Sequence, residues 1–328
     1  MSTTNRNPLV HGSNLEQKEN HRKKYRDAQS RKFLQEIRIE YDKWHLANVE
    51  LVGPTSTSTP TENDDTIISK RVELLSKYKD FLDQQHYAEK FDSRSNLHSS
   101  VLEEFLYYLF RDLAKDFGEN ALIGKSHTFK DIFFVPPKYA EMLKRPYARI
   151  EKKDHDFVIG ATIEASFEAV TPPPEAEENS GEMLALLKEE PGNYSDVTVT
   201  GNTETHIFDI PVIVIECKTY LDKTMLEGSS RAAEDLKARN PNSLYIVLME
   251  WIKLTSDVNL RKYKVDQIYV LRQQKNTDRE FRYEETYVKN PINPTVVQHL
   301  FNKVRKHLTM DWVGGIEQGI QRGWLIEE

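Results

Sequence analysis

The chain has 328 residues, 38% hydrophobic and 30% charged, which supplies a packed core and excludes wholesale disorder. Its single cysteine, Cys217, excludes a disulfide framework and a multi-cysteine zinc site. The net charge of −7 argues at first against a nucleic-acid partner, but the average hides local basic runs.

One such run is Lys18, Arg22, Lys23, Lys24, Arg26, Arg31 and Lys32. Another is Arg261, Lys262, Lys264, Arg272 and Lys275, with Tyr263 and Tyr269 between them. Each reads either as a solvated face or as a surface for phosphates. No stretch of about eighteen apolar residues offers a membrane span, so no membrane partner is expected. Residues 1–20 lack the apolar centre of a secretory signal. With one cysteine, a reducing cytoplasm is the expected compartment.

In chain order, residues 1–13 read as a loose tail. Residues 14–50 are rich in helix formers, with Phe33, Ile37, Tyr41 and Trp44 at helical spacing. The polar stretch 53–65 reads as a linker, and Asp65 or Thr66 is positioned to cap the next helix. That helix carries Ile67, Ile68, Val72, Leu75, Tyr78, Phe81 and Leu82 at helical spacing. A stronger one begins at Ser99 or Ser100, with Val101, Leu102, Phe105, Leu106, Leu109 and Leu113 on one face. A loop containing Pro136 and Pro137 is expected next. Residues 154–170 have strand composition, and the acidic, proline-rich stretch 171–204 reads as an insertion. Residues 206–218 form a strand whose VIVI run implies burial on both faces. A helix over 224–240, strands over 244–251 and 265–271, and an amphipathic helix over 295–308 follow. This order implies an α/β sandwich with a mixed sheet. No glycine-rich loop follows a strand, which argues against P-loop and dinucleotide-binding enzymes. Two regions are expected: a helical N-terminal region, 1–92, for DNA engagement or subunit contact, and a catalytic domain, 93–328.

The chemistry concentrates at Ile215-Glu216-Cys217-Lys218. In a strand, Glu216 and Lys218 share a face while Ile215 and Cys217 share the other. A carboxylate and an ammonium closing a buried apolar strand are costly unless paired or ligated. A structural ion pair is the plain explanation; a metal site is the functional one. A divalent cation needs more oxygen ligands, and the acids upstream are Asp154, Asp156, Asp196 and Asp209. If 156–168 and 206–218 pair antiparallel, the start of the first strand meets the end of the second, and Asp156 lies beside Glu216. Asp209 sits on the same strand as Glu216, roughly 23 Å away. Asp154 is the reserve choice.

These residues resemble the PD-(D/E)XK nucleases, and among them the type II restriction endonucleases. The resemblance rests on KDHDFVIG (Lys153–Gly160), VIVIECKTYLD (Val212–Asp222), NPNSLYIVLMEW (Asn240–Trp251) and the helix SSVLEEFLYYLF (Ser99–Phe110). It covers about residues 93–310 and looks closest to a branch that cuts interrupted sites of the CTNAG type, sometimes as two unlike subunits. His155 stands where the family name has proline.

The resemblance implies a restriction-endonuclease-like mixed sheet flanked by helices, with an αβββαβ core. It also implies a prokaryotic, Mg²⁺-dependent enzyme acting on double-stranded DNA, with Mn²⁺ able to substitute, working as a homodimer or with a related subunit. Asp156, Glu216 and Lys218 are the expected catalytic residues. Metal ligands are expected from Asp156, Glu216, the Cys217 carbonyl and an acid of the preceding helix, Glu103 or Glu104. Two other functions are compatible with this site: a repair or recombination nuclease of the same fold, and a DNA-binding module without cleavage.

Overall fold

The computed structural model describes residues 8–56, 61–91, 97–118, 121–133, 138, 148–168, 203–310, 320, 321 and 323. Five helices come first: α1 (Val10–Glu19), α2 (Ala28–Glu50), α3 (Glu62–Leu82), α4 (Gln85–Lys90) and α5 (Ser99–Lys115). Three long strands follow, β1 (Leu122–Phe133), β2 (Arg149–Phe167) and β3 (Glu204–Leu221), then α6 (Lys223–Lys237), β4 (Leu244–Ile252), β5 (Gln267–Val270) and α7 (Pro294–Thr309). From α5 to β4 the order is αβββαβ, as the resemblance implies. The strands lie in the order β1-β2-β3-β4-β5.

The chain forms two units. The first comprises Met1–Ser126, Asp154–Ala161 and Pro211–Glu328. In it β3 pairs in parallel with β4, from Ile213 opposite Leu244 to Leu221 opposite Ile252, and β4 pairs in parallel with β5. Alternation sorts the strand residues onto two faces. Phe157, Ile159, Ile213, Ile215, Cys217, Ile246 and Leu248 join the buried residues of α1–α5 and α7 in one cluster. Val158, Val214, Tyr245, Val247 and Met249 join Leu226, Ala233 and Leu236 of α6 in the other. A continuous buried run from Leu244 to Met249 therefore leads β4, which is covered on both sides.

The second unit comprises His127–Lys153 and Thr162–Ile210. Here Thr162 Oγ1 donates to Asp209 and Ser166 lies 3.1 Å from Thr205, so β2 numbers rise as β3 numbers fall. Thr128 reaches the Lys153 carbonyl and Lys130 pairs with Glu151 in the same sense between β1 and β2. Both pairings are antiparallel. The expected insertion, 171–204, lies outside the described residues up to 202, and Asp196 with it.

Three expectations need correction. The tail expected over 1–13 ends earlier, because α1 starts at Val10 and buries His11 and Gly12. Only Val10 and Leu15 are its buried apolar residues, too few to announce a helical period. The helix-forming stretch 14–50 is broken at 20–27, where Asp27 caps α2 by accepting from the Ser30 amide. The cap of α3 is Thr61, in a reciprocal capping box with Asp64, and not Asp65 or Thr66.

A charged cluster fastens the N-terminal helices to the sheet. Lys79 of α3 pairs with Glu250 of β4 at 2.5 Å, and Arg272 Nε donates to the same carboxylate at 3.1 Å. All three side chains are at least 98% buried. The α1–α4 helices and the sheet thus share one core and one ionic anchor.

Candidate active site

The end of β3 delivers Glu216 and Lys218 to the face that also carries Val214, while Cys217 packs with the helix-side cluster. Lys218 Nζ donates to Glu216 Oε2 at 2.9 Å and to Asp156 Oδ2 of β2 at 3.0 Å. Two such bonds to one nitrogen leave those oxygens no more than about 6 Å apart. The Cys217 amide also donates to Asp156 Oδ2, at 2.9 Å. The other Glu216 oxygen, Oε1, is met by the Tyr245 hydroxyl of β4 at 3.0 Å and by His155 Nδ1 at 3.2 Å. A carboxylate only accepts, so the His155 hydrogen bond requires the proton on Nδ1.

Burial raises the Asp156 carboxyl, and the Glu216 charge raises it further, against the pull of Lys218 and the Cys217 amide. Glu216 goes the other way. Burial alone would raise it, but the His155 and Lys218 hydrogen bonds outweigh burial and hold it below the usual carboxylate range. Burial would lower Lys218, yet Asp156 and Glu216 overcome this and hold it above the usual amine range. The centre is therefore an ammonium clasped between two acids on neighbouring strands.

Glu103 of α5 joins this environment. Burial, then the charge of Asp156, pushes its carboxyl up to about 7. Lys125 of β1 answers it, with Nζ 3.3 Å from Glu103 Oε2.

Residues 94–200 and 192–325 match the family of the Bpu10I restriction endonuclease. The chain belongs to the Bpu10I restriction endonuclease family. It is accordingly a DNA-cleaving enzyme of the type II restriction class. Among solved structures it resembles a chain of the native BbvCI A2B2 tetramer, with a TM-score of 0.60 and 19% identity over 93% of this chain and 98% of that one. At that identity the likeness concerns the fold. No curated protein sequence matches the chain.

In this restriction endonuclease the two adjacent acids of α5 part company. Both are buried, because α5 is covered by the N-terminal helices as well as by the sheet. Glu104 accepts from the His11 and Gly12 amides at 2.9 and 3.0 Å, from Tyr41 at 3.0 Å and from Tyr108 at 2.6 Å. Its carboxylate is committed to holding α1 and α2 on α5. The other upstream acids fall elsewhere: Asp154 is exposed, and Asp209 accepts from Thr162 in the second unit. Among the described residues no three His, Cys, Asp or Glu side chains converge as a ready-made metal cage.

Sequence reasoning passed over Tyr245, Lys125 and the hydrogen bond made by His155. Tyr245 sits inside an apolar strand and reads as core. Lys125 lies on a strand the sequence does not announce. His155 carried a signal, a polar ring next to the candidate acid in a segment that becomes buried, but nothing in the sequence says which partner it meets.

Proposed function

We propose that this restriction endonuclease hydrolyses double-stranded DNA at a short interrupted site of the CTNAG type. The proposed centre is of the PD-(D/E)XK kind, built from Asp156, Glu216 and Lys218, with Mg²⁺ as the metal and Mn²⁺ able to replace it. The observation that carries this reading is the Lys218 ammonium bridging Asp156 and Glu216. It marks a place where two half-buried acids on neighbouring strands demand positive charge.

The residues fit a magnesium ion. Mg²⁺ is commonly held by one or two carboxylates, with water and substrate phosphate completing the shell, so a full protein cage is not required. Asp156 and Glu216 would supply two hard oxygens and the Cys217 carbonyl a third, and Glu103 is the nearby acid of α5 that would extend the set. Glu104 is the weaker candidate because its oxygens already accept four donors.

When bound, the ion supplies charge stabilisation at the scissile phosphate and acidifies the attacking water. The chain's own residues do the rest. Asp156 is steadied by the Cys217 amide and Glu216 by His155 and Tyr245, so both acids are oriented before DNA arrives. Lys218, held protonated by those two acids, offers a hydrogen-bond donor and a counter-charge beside them.

The solved structural neighbour is an A2B2 tetramer. This supports assembly of the present chain as a homodimer or with a related subunit. Residues 1–92 then combine two roles, bracing the catalytic sheet and offering exposed cations to DNA or to a partner. The site is tested with Asp156→Ala, Glu216→Ala and Lys218→Ala. Each is expected to abolish cleavage with folding and DNA binding retained; full activity in any of them would remove that residue from the centre.

A further inference from the structure

We infer that His155 and Tyr245 are positioning residues for Glu216: they fasten its Oε1 and leave Oε2 as the single oxygen turned to the metal and to Asp156. The inference rests on the metal-site reading above and adds which atom of Glu216 does the binding and what fixes it.

The two oxygens of Glu216 have unequal surroundings. Oε1 accepts from the Tyr245 hydroxyl at 3.0 Å and from His155 Nδ1 at 3.2 Å. Two donors fill the ordinary accepting capacity of a carboxylate oxygen. Oε2 accepts from Lys218 Nζ, the same nitrogen that touches Asp156 Oδ2. The oxygen on the Asp156 side therefore retains accepting capacity.

The two donors come from different strands. Tyr245 stands on β4 beside Val214, and His155 on β2 beside Asp156, so Glu216 on β3 is held from both flanks. Their rings also meet, edge to face, with centroids 6.0 Å apart. Both residues are buried, Tyr245 fully. A phenol inside an otherwise apolar strand has its polar end satisfied by this carboxylate, where a phenylalanine would serve packing alone. Outer residues of this kind set the orientation of a ligating carboxylate, and their loss commonly weakens metal affinity 10- to 100-fold.

The test is direct Mn²⁺ binding to the metal-free full-length protein, read from the electron paramagnetic resonance signal of free Mn²⁺, with melting temperature as a check on folding. Tyr245→Phe and His155→Ala are each expected to weaken Mn²⁺ binding about tenfold or more, with cleavage recovering as the metal concentration is raised. His155→Asn is expected to restore most of the affinity, because its side-chain amide can donate from the place of Nδ1. If His155→Ala does not fold, Tyr245→Phe and His155→Asn still decide the matter.

Wild-type affinity in Tyr245→Phe and His155→Ala, with binding abolished in Glu216→Ala, would overturn the positioning role and leave the metal site standing. Unchanged binding in Glu216→Ala would overturn the metal site and this inference together.

Discussion

Glu103 and Glu104 are neighbours on α5, yet their carboxylates are committed to different places. Glu103 pairs with Lys125 and feels the charge of Asp156. Glu104 receives the His11 and Gly12 amides and two tyrosine hydroxyls. One residue of helix thus separates an acid of the candidate site from an acid that holds the N-terminal helices.

Their substitutions should separate in the same way. Glu104→Ala leaves buried donors without an acceptor, and a loss of about 3 kcal/mol or more is expected. Glu103→Gln should cost less stability than Glu104→Ala, since only Lys125 loses its partner, while weakening metal binding and cleavage. Denaturant unfolding beside cleavage assays checks both. Equal stability loss in the two variants would contradict the division.

The Glu103 carboxyl also predicts a pH effect on the metal-free protein. Its proton is held to about pH 7 in the folded chain, against an ordinary value of 4.5. The folded state binds this proton more tightly, so the stabilisation is complete below about 4.5 and lost as pH rises toward about 7. The melting temperature of the wild type, relative to Glu103→Gln, should fall across that window and level above it. Parallel curves for the two proteins would show that Glu103 does not titrate there.

Glu250 should be costly to remove. It neutralises both Lys79 and Arg272 in the interior. Glu250→Ala leaves the buried Lys79 without its carboxylate and Arg272 with only Asp80, and breaking such a pair typically costs about 3–5 kcal/mol. Chemical denaturation measures this. A loss below about 1 kcal/mol would mean that the cluster is no firmer than a surface pair.

The sequence shows the fold wherever apolar pattern and burial coincide. Residues 206–218 and 244–251 fall on β3 and β4 because each carries a short continuous apolar run, and 295–308 falls on α7 because its core residues repeat at the helical period. It also places Asp156 beside Glu216, since an antiparallel hairpin must join the start of one strand to the end of the next. β1 is hidden: its buried positions are Leu122, Gly124, Ser126 and Thr128, which alternate in exposure but not in hydrophobicity. With β1 unseen, Lys125 has no address. Glu103 and Glu104 resist a one-dimensional reading because a helical wheel shows one apolar face, whereas α5 is covered on more than one side. The hydrogen bonds of His155 and Tyr245 depend on how three strands lie side by side, which no local pattern encodes.

The basic run of the N-terminal region divides in the same physical manner. Phe33, Ile37 and Trp44 are buried in the shared core, as a brace requires. Arg22, Lys23, Lys24 and Arg26 are exposed on the turn between α1 and α2, where the His21 ring accepts from the Lys23 and Lys24 amides. Replacing these four by alanine should weaken DNA binding and make the dependence of log affinity on log salt shallower, by about one for each phosphate no longer neutralised. Fluorescence anisotropy at several salt concentrations reads the slope. An unchanged slope would leave the turn without a role in DNA binding.

Asp156, Glu216 and Lys218 are proposed as the centre that cuts DNA. The most direct measurement is digestion of a plasmid of known sequence in Mg²⁺, comparing wild type with Glu216→Ala and sequencing the ends. Breaks at one recurring short sequence are expected with the wild type and none with Glu216→Ala. The same breaks at a comparable rate from Glu216→Ala would place the cutting site elsewhere in the chain.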